Sequence, residues 1–385
     1  MARAAIKDLV VKGRVKPIPF DETVWHLNLD QIESGTGRVL SKLRLPAGEG
    51  GNSTQFFEQG TVLYSKLRPY LNKVVVADER GVATTELVPL RVREDAVIPE
   101  YLAQYLRSDE FLSQASARVT GAKMPRLILD WFWNHEIPLP PIDEQRRITH
   151  LLDEADRLQR LRKAANEKAQ RILPALFAEM FGDPETNPMG WDVKTLGEVT
   201  AGKPKYGAGA SAIPWTSGRP RYVRITDVDD EGRLNPASCV AAALSPSEEA
   251  AYRLEQGDVL FARSGATVGK VYLHGSESMH CVYAGYLIRF RLNSELLDPT
   301  FLFGFTRTAA YRGWVASKQR PTAQPNINAQ EYASLTLPAP PIERQRAFAA
   351  AAQTALQITD EQAAAATATA HAAQSVRSRL FAESM

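Results

Sequence analysis

Ile137-Pro138-Leu139-Pro140-Pro141-Ile142-Asp143-Glu144-Gln145-Arg146 returns about 200 residues later as Leu337-Pro338-Ala339-Pro340-Pro341-Ile342-Glu343-Arg344-Gln345-Arg346. The two stretches share Pro-x-Pro-Pro-Ile, an acid, and Gln-Arg in one register. A period of that length is too long for a solenoid unit and points to a duplicated pair of domains. Farther along, Leu176-Phe177-Ala178-Glu179 recurs as Leu380-Phe381-Ala382-Glu383, with the offset grown by four residues, close to one helical turn.

Working upstream, the two halves stay parallel. Gly60-Thr61-Val62-Leu63-Tyr64-Ser65-Lys66 answers Gly257-Asp258-Val259-Leu260-Phe261-Ala262-Arg263, and Lys73-Val74-Val75-Val76 answers Lys270-Val271-Tyr272-Leu273. Both are β-rich runs punctuated by turn residues, which predicts consecutive strands. A helix is predicted after each, from Pro99-Glu100-Tyr101-Leu102 and from Pro299-Thr300-Phe301-Leu302, with proline near the first helical position and Asp298 as an N-cap. The loops between these elements differ. Lys66-Leu67-Arg68-Pro69-Tyr70 stands where the second half has Arg263-Ser264-Gly265-Ala266-Thr267. One scaffold with two sets of loops suits two modules reading different targets.

Working downstream, the pattern changes to helical spacing. Ile148, Leu151, Ala155, Leu158, Ala165, Ala169, Ile172 and Leu176 form one apolar series, and Phe348, Ala355, Ile358, Ala365, Val376 and Leu380 another. Sustained 3–4 spacing with charges between argues for helix pairing of the coiled-coil kind. Each helix is predicted at about 35–40 residues, or about 55–60 Å. Pro174 should kink or break the first, and Gly182 with Pro184 should end it. One helix cannot bury its own stripe, whereas two on one chain can pair antiparallel. The expected fold is therefore α+β: two similar mixed α/β domains separated by a long antiparallel two-helix coiled coil, a pseudo-two-fold dumbbell. The expected boundaries are 1–140 for the first globular domain, 141–182 for the first spacer helix, 183–190 for a linker, 191–338 for the second domain and 339–385 for the second helix.

Composition narrows the class. The chain has 385 residues with 46 basic and 44 acidic side chains, a net charge of +2. Such a balance gives no global pull toward nucleic acid, so any basic surface must be local. No apolar run approaches the roughly 20 residues of a membrane span, and no signal-peptide pattern opens the chain. Cys239 and Cys281 fit no metal or redox spacing, which predicts a reduced, cytoplasmic protein without membrane contact.

Two variable globular units, each followed by a Pro-Pro-Ile-x-x-Gln-Arg helix, resemble the specificity subunits of type I restriction–modification enzymes over nearly the whole chain. Gly257-Asp258-Val259-Leu260-Phe261-Ala262-Arg263-Ser264-Gly265 with Val268-Gly269-Lys270 looks like that family's strand–loop–strand near DNA. Gly121-Ala122-Lys123-Met124-Pro125-Arg126-Leu127 and Arg320-Pro321-Thr322-Ala323-Gln324-Pro325-Asn326-Ile327 look like its loop after the helix. The first unit departs from the pattern, since Tyr64-Ser65-Lys66-Leu67-Arg68-Pro69-Tyr70 lacks the glycine-rich form. The resemblance implies that the globular units are target recognition domains and the helices the regions that space them. It further implies double-stranded DNA as ligand, a bipartite target with a non-specific gap, and two methylation subunits carrying S-adenosylmethionine for adenine methylation. Restriction subunits with ATP and magnesium are implied as further partners, and the chain itself is expected to bind no cofactor and to catalyse nothing.

Base edges specify sequence and phosphates fix position. Arg68, Arg126, Arg263 and Arg320 have the planar donor pair that matches guanine, and Gln324 or Asn326 matches adenine. Lys66, Lys73, Lys123, Lys203, Lys205, Lys270 and Lys318 suit phosphates, which need charge more than planar geometry. Tyr70 and Tyr206 could pack on sugar or base, and Ser264, Thr267 and Thr322 complete the candidate loops.

Enzyme signatures are weak. Gly265-Ala266-Thr267-Val268-Gly269-Lys270 has its glycines too close together for a phosphate loop, and Val271 lacks the hydroxyl that would bind magnesium. Asp183 with Asp192-Val193-Lys194 straddles a helix stop, and Asn187-Pro188-Met189-Gly190 is not an amino-methyltransferase tetrad. The six histidines, His280 beside Cys281 included, form no metal-ligand cluster. The remaining alternatives are a coiled-coil adaptor that binds proteins and a stand-alone DNA-modifying enzyme.

Overall fold

The computed structural model describes residues 2–11, 13, 15–51, 53–235, 237–275, 279–319 and 325–382. The chain divides into two compact units, Met1–Lys163 with Ala365–Met385, and Ala164–Ala364. Each mixes helix and sheet. In the first, the β-rich run forms the strand Val62–Ser65, antiparallel to both Val74–Val76 and Leu87–Leu90. Alternate residues of a strand face opposite ways. Val62 and Tyr64 accordingly enter one apolar cluster with Val74, Tyr101 and Phe111, while Leu63 enters another with Trp25 and Phe57. The second unit repeats this design. Val259–Ala262 lies between Val271–Leu273 and Leu287–Phe290, with Val259 and Phe261 on one side and Leu260 and Ala262 on the other.

Further pairings are also duplicated. Thr23–Leu27 runs parallel to Gly81–Thr84, as Arg221–Val223 does to Cys281–Tyr283. Arg3–Ala5 pairs with Glu136–Pro138, and Val193–Thr195 with Thr336–Pro338. The helices Pro99–Leu106 and Pro299–Phe305 begin at the expected prolines, and Asp298 caps the latter by accepting from the Thr300 and Phe301 amides at 2.7 and 3.3 Å.

The glutamine of the repeated motif joins each globular domain to its long helix. Gln145 is fully buried; its amide donates to Ala96 O and Pro140 O, both at 2.9 Å, and accepts from the Ile98 amide at 3.0 Å. Gln345 does the same with Leu296 O at 3.2 Å, Pro340 O at 2.7 Å and the Asp298 amide at 2.8 Å. A buried amide with every partner satisfied fixes geometry that a leucine could not.

The long helices are Ile142–Ala169, continued as Ile172–Phe181, and Ile342–Ala382. The break falls at residues 170–171, and Pro174 lies in the first turn of the new segment, where a missing N–H costs least. Gly182 ends the segment. Within the first unit Phe381 joins the cluster of Ile148 and Leu152, and Arg377 pairs with Asp156. Within the second, Thr359 Oγ1 donates to Ala169 O at 3.3 Å and the Phe348 ring lies 5.6 Å from Phe177. In both units the two helical segments therefore run antiparallel. The far ends of the helices are built into the globular cores, so compactness divides the chain inside the helices rather than at their starts.

The expected packing series is corrected in part. Ile148, Ala169, Phe348 and Ala355 are buried, and Ala155, Ala165, Leu176, Ala365 and Leu380 are half-buried. Leu151, Leu158, Ile172, Ile358 and Val376 are instead exposed. The seam runs through Leu152, Leu173, Phe177, Phe181, Ala352, Thr359, Ala373 and Phe381. Neighbouring residues on a helix point about 100° apart, so only one of Leu151 and Leu152 faces inward. Thr359 is admitted to the seam because its one hydroxyl proton is shared between Ala355 O at 2.8 Å and Ala169 O at 3.3 Å.

Candidate nucleic-acid interface

Each central strand leads into a turn, and the two turns share one backbone design. In the first unit the Ser65 amide donates to Lys73 O at 3.0 Å, the Arg68 amide to Pro125 O at 2.7 Å and the Leu71 amide to Arg68 O at 2.9 Å. In the second, the Ala262 amide donates to Lys270 O at 2.9 Å, the Gly265 amide to Pro325 O at 2.9 Å and the Val268 amide to Gly265 O at 3.1 Å. Two positions have positive φ in each: Arg68 (48°) and Asn72 (49°) against Gly265 (73°) and Gly269 (88°). The first unit thus keeps the turn without the glycines, and the departure noted in the sequence lies in residue type alone.

The segments flanking each turn match as well. The Lys66 amide donates to Glu86 O and the Arg263 amide to Tyr286 O, both at 3.0 Å. Leu127 and Ile327 return amide bonds to Lys66 O and Arg263 O at 2.9 and 2.8 Å. Positions 66, 86 and 126 therefore correspond to 263, 286 and 326.

The side chains at these positions differ in chemistry. In the first unit Arg126 grips Glu86, with Nε 3.1 and 3.2 Å and Nη2 2.8 Å from the carboxylate oxygens. The hydrogen bond from Arg126 holds the Glu86 carboxyl below its ordinary range against partial burial, and the charges of Arg126 and Lys66 add to the effect. Arg68 and Tyr70 in the turn and Lys123 shortly before Arg126 are exposed, and Lys66 is half-buried. In the second unit the Arg263 guanidinium lies 4.9 Å from the Tyr206 ring centroid and its Nε is 3.5 Å from Asn326 Oδ1. The Tyr206 hydroxyl accepts from the Ala329 amide at 3.1 Å, and Tyr286 is 65% exposed at the rim.

Several candidate lysines are committed within the fold. Lys73 donates to Leu29 O at 2.6 Å. Lys270, its counterpart, reaches Val228 O at 3.4 Å and Asp230 at 2.7 Å. Lys205 donates to Ala251 O at 2.8 Å and covers the Tyr252 ring at 4.8 Å, while Lys318 lies 5.5 Å from the Trp314 centroid. The Thr267 hydroxyl donates to Ser264 O at 3.1 Å, Ser264 is half-buried, and Lys203 is exposed. Arg320, Thr322 and Gln324 lie outside the described residues. Glu86 and Tyr286 were not among the residues singled out from sequence. Extending the repeat alignment through Thr85-Glu86-Leu87-Val88 and Gly285-Tyr286-Leu287-Ile288 would have found them.

Two of the residues weighed for catalysis, Asp183 and Asn187, have structural partners. Asp183 accepts from the Glu185 amide at 3.0 Å, and Asn187 both accepts from the Trp191 amide at 3.0 Å and donates to Trp191 O at 2.8 Å. Among the described residues no group of three or more His, Cys, Asp or Glu is placed to hold a metal, and no helix is long and apolar enough to cross a membrane.

Comparison with known proteins gives this geometry its family. The family described as the type I restriction modification DNA specificity domain matches twice, at residues 49–171 and 188–361, and the chain belongs to it. The type I restriction enzyme EcoDI specificity subunit of Escherichia coli is 25% identical over 169 residues, 43% of this chain and 37% of that protein. The MjaVIII specificity subunit of Methanocaldococcus jannaschii is 22% identical over 335 residues, 77% of this chain and 76% of that one. The alignment to EcoDI thus spans under half of its length. Among solved structures, the S subunit of a type I system from M. genitalium superposes with a TM-score of 0.62 at 13% identity, covering 99% of this chain and 96% of that one. A chain from a type I system studied for complex assembly and conformational transition gives 0.57 at 19% identity, covering 99% and 97%. At these identities the superpositions establish the fold.

Proposed function

We propose that this chain is the sequence reader of a type I restriction–modification enzyme, recognising a bipartite DNA target with one globular domain on each part and a non-specific gap between. The observation that carries the reading is the turn built twice on one backbone with different side chains. An enzyme that used both turns for the same reaction would need the same groups in both. A reader of two different half-sites needs the backbone held constant and the donors varied.

In this reading the paired helices act as the spacer of a dumbbell and as the seat for two methylation subunits, which bring S-adenosylmethionine and methylate adenine. Leu151, Leu158 and Leu161, exposed at 39%, 52% and 56%, support that seat, since apolar side chains on a helix surface suit a protein partner. Restriction subunits with ATP and magnesium would join the same assembly in the cytoplasm. Catalysis belongs to the partners, and this chain supplies position.

The test is to produce the chain with its neighbouring methylation subunit and map methylated adenines across a genome. A split motif that disappears when this chain is deleted is the expected result. Methylation without a motif, or a motif that survives the deletion, would overturn the reading. A protein-binding adaptor would show no sequence-dependent DNA affinity, and a stand-alone enzyme would modify DNA without the added subunit.

A further inference from the structure

The pair Glu86–Arg126 belongs to one domain only. At the matching positions the other domain has Tyr286 and Asn326, although the backbone bonds that set those positions are the same in both. An exposed carboxylate–guanidinium pair adds little to folding, and Arg126 is 45% and Glu86 23% exposed in their side chains. The pair sits beside Arg68, a non-glycine residue held at positive φ and bonded through its amide to Pro125, immediately before Arg126. Backbone strain of this kind collects at functional sites.

The geometry of the pair is selective. A guanidinium has two faces for paired donation: Nε with one Nη, and the two Nη groups together. Glu86 takes the Nε–Nη2 face at 2.8–3.2 Å. The Nη1–Nη2 face keeps two parallel N–H donors, the pattern that matches O6 and N7 of guanine in the major groove. With its other face anchored, the side chain loses much of the rotational freedom that would otherwise blunt discrimination.

We propose that Arg126 reads a guanine in the half-site of the first domain and that Glu86 is its positioning residue. This rests on the DNA-reading function proposed above and names a base within it. The second domain, with Arg263 stacked on Tyr206 and bonded to Asn326 rather than to a carboxylate, reads a different half-site.

The test uses the full chain with its methylation subunit and selects bound duplexes from a randomised pool, wild type beside Arg126→Gln, Glu86→Gln and Glu86→Asp. The wild type is expected to require guanine at one position of one half-site, and 7-deazaguanine there, which lacks the N7 acceptor, should weaken binding about 10-fold or more. Arg126→Gln should abolish that preference, Glu86→Gln should reduce it several-fold, and Glu86→Asp should restore part of it. The other half-site, unchanged in every variant, reports that the chain is folded. If both variants at 126 and 86 keep the wild-type motif, the guanine assignment is wrong while the reader stands. If Arg126→Gln loses guanine and Glu86→Gln does not, the positioning role of Glu86 is wrong. A wild type that selects no motif overturns the reader itself, and the guanine contact with it.

Discussion

The turn after Ser65 and the turn after Ala262 follow the same path, yet one places Arg68 and Asn72 where the other places Gly265 and Gly269. A side chain in the left-handed region costs about 1–2 kcal/mol, less for asparagine. The first domain carries that cost and gains an arginine at the apex of its turn. The second leaves bare backbone there and carries its arginine, Arg263, two residues earlier. Both paths are enforced from outside, by Pro125 O and Pro325 O accepting the apex amide. Where tertiary bonds hold the backbone, the residue types are free to diverge.

The largest effects should come from what the two domains share. Phe177 and Phe381 close the cores of different units: Phe177 against Phe181, Phe301, Phe305 and Phe348, Phe381 against Tyr101 and Tyr105. Alanine at either is expected to cost about 3–5 kcal/mol in urea unfolding, with Phe177→Ala the larger because more rings surround it. Equal and small losses would mean the helix ends are not built into the cores.

Next come the glutamine joints. Gln145→Ala and Gln345→Ala each strand one buried amide and two carbonyls, and each should lose roughly 3 kcal/mol in the same measurement. A clear inequality would show that the two domains are not seated on their helices in the same way.

The turns themselves should respond with opposite signs. Gly269→Ala brings a Cβ within 2.7 Å of Val315 at a φ of 88° and should destabilise by about 2 kcal/mol. Arg68→Gly should instead stabilise by about 0.5 kcal/mol, the relieved strain less the added freedom of the unfolded chain. The same substitution should weaken DNA binding and flatten its dependence on salt. A loss of stability on Arg68→Gly would mean that its side chain, and not its backbone bond, holds the turn.

The smallest effect separates the loops that face the helices. Asp360 has its pKa raised by partial desolvation and by the charge of Asp229, with Arg233 opposing. Its ionised form is therefore disfavoured in the fold, so Asp360→Asn should raise stability at neutral pH, and the gain should fade as pH falls through the carboxylate range. Glu33 matches Asp229, since its amide donates to Arg38 O as the Asp229 amide does to Arg233 O, both at 2.9 Å. Its pKa is lowered first by its hydrogen bond from Thr36, against partial desolvation, and then by Arg38 and Lys163. Glu33→Gln should lose stability near neutral pH and lose nothing in acid. Stability curves of the two variants against pH should therefore move in opposite directions, and parallel curves would refute the difference.

The amino-acid chain alone specifies the duplication, the strands around Val62 and Val259, the proline-led helices and the break near Pro174. These follow from local patterns that repeat in one register, where propensity and periodicity act over a few residues. It also located both turns. Folding in three dimensions chose which of two adjacent residues faces the seam, Leu152 rather than Leu151 and Thr359 rather than Ile358, because a 3–4 pattern fixes a face only to within about 100°. It alone joined Glu86 to Arg126, and Arg263 to Tyr206 and Asn326, across 40, 57 and 63 residues of chain. It also tied Lys73 and Lys270 to carbonyls of their own domains. A side chain's charge is written in the sequence, but whether that charge meets solvent, a carbonyl or a carboxylate depends on which distant segment folds beside it.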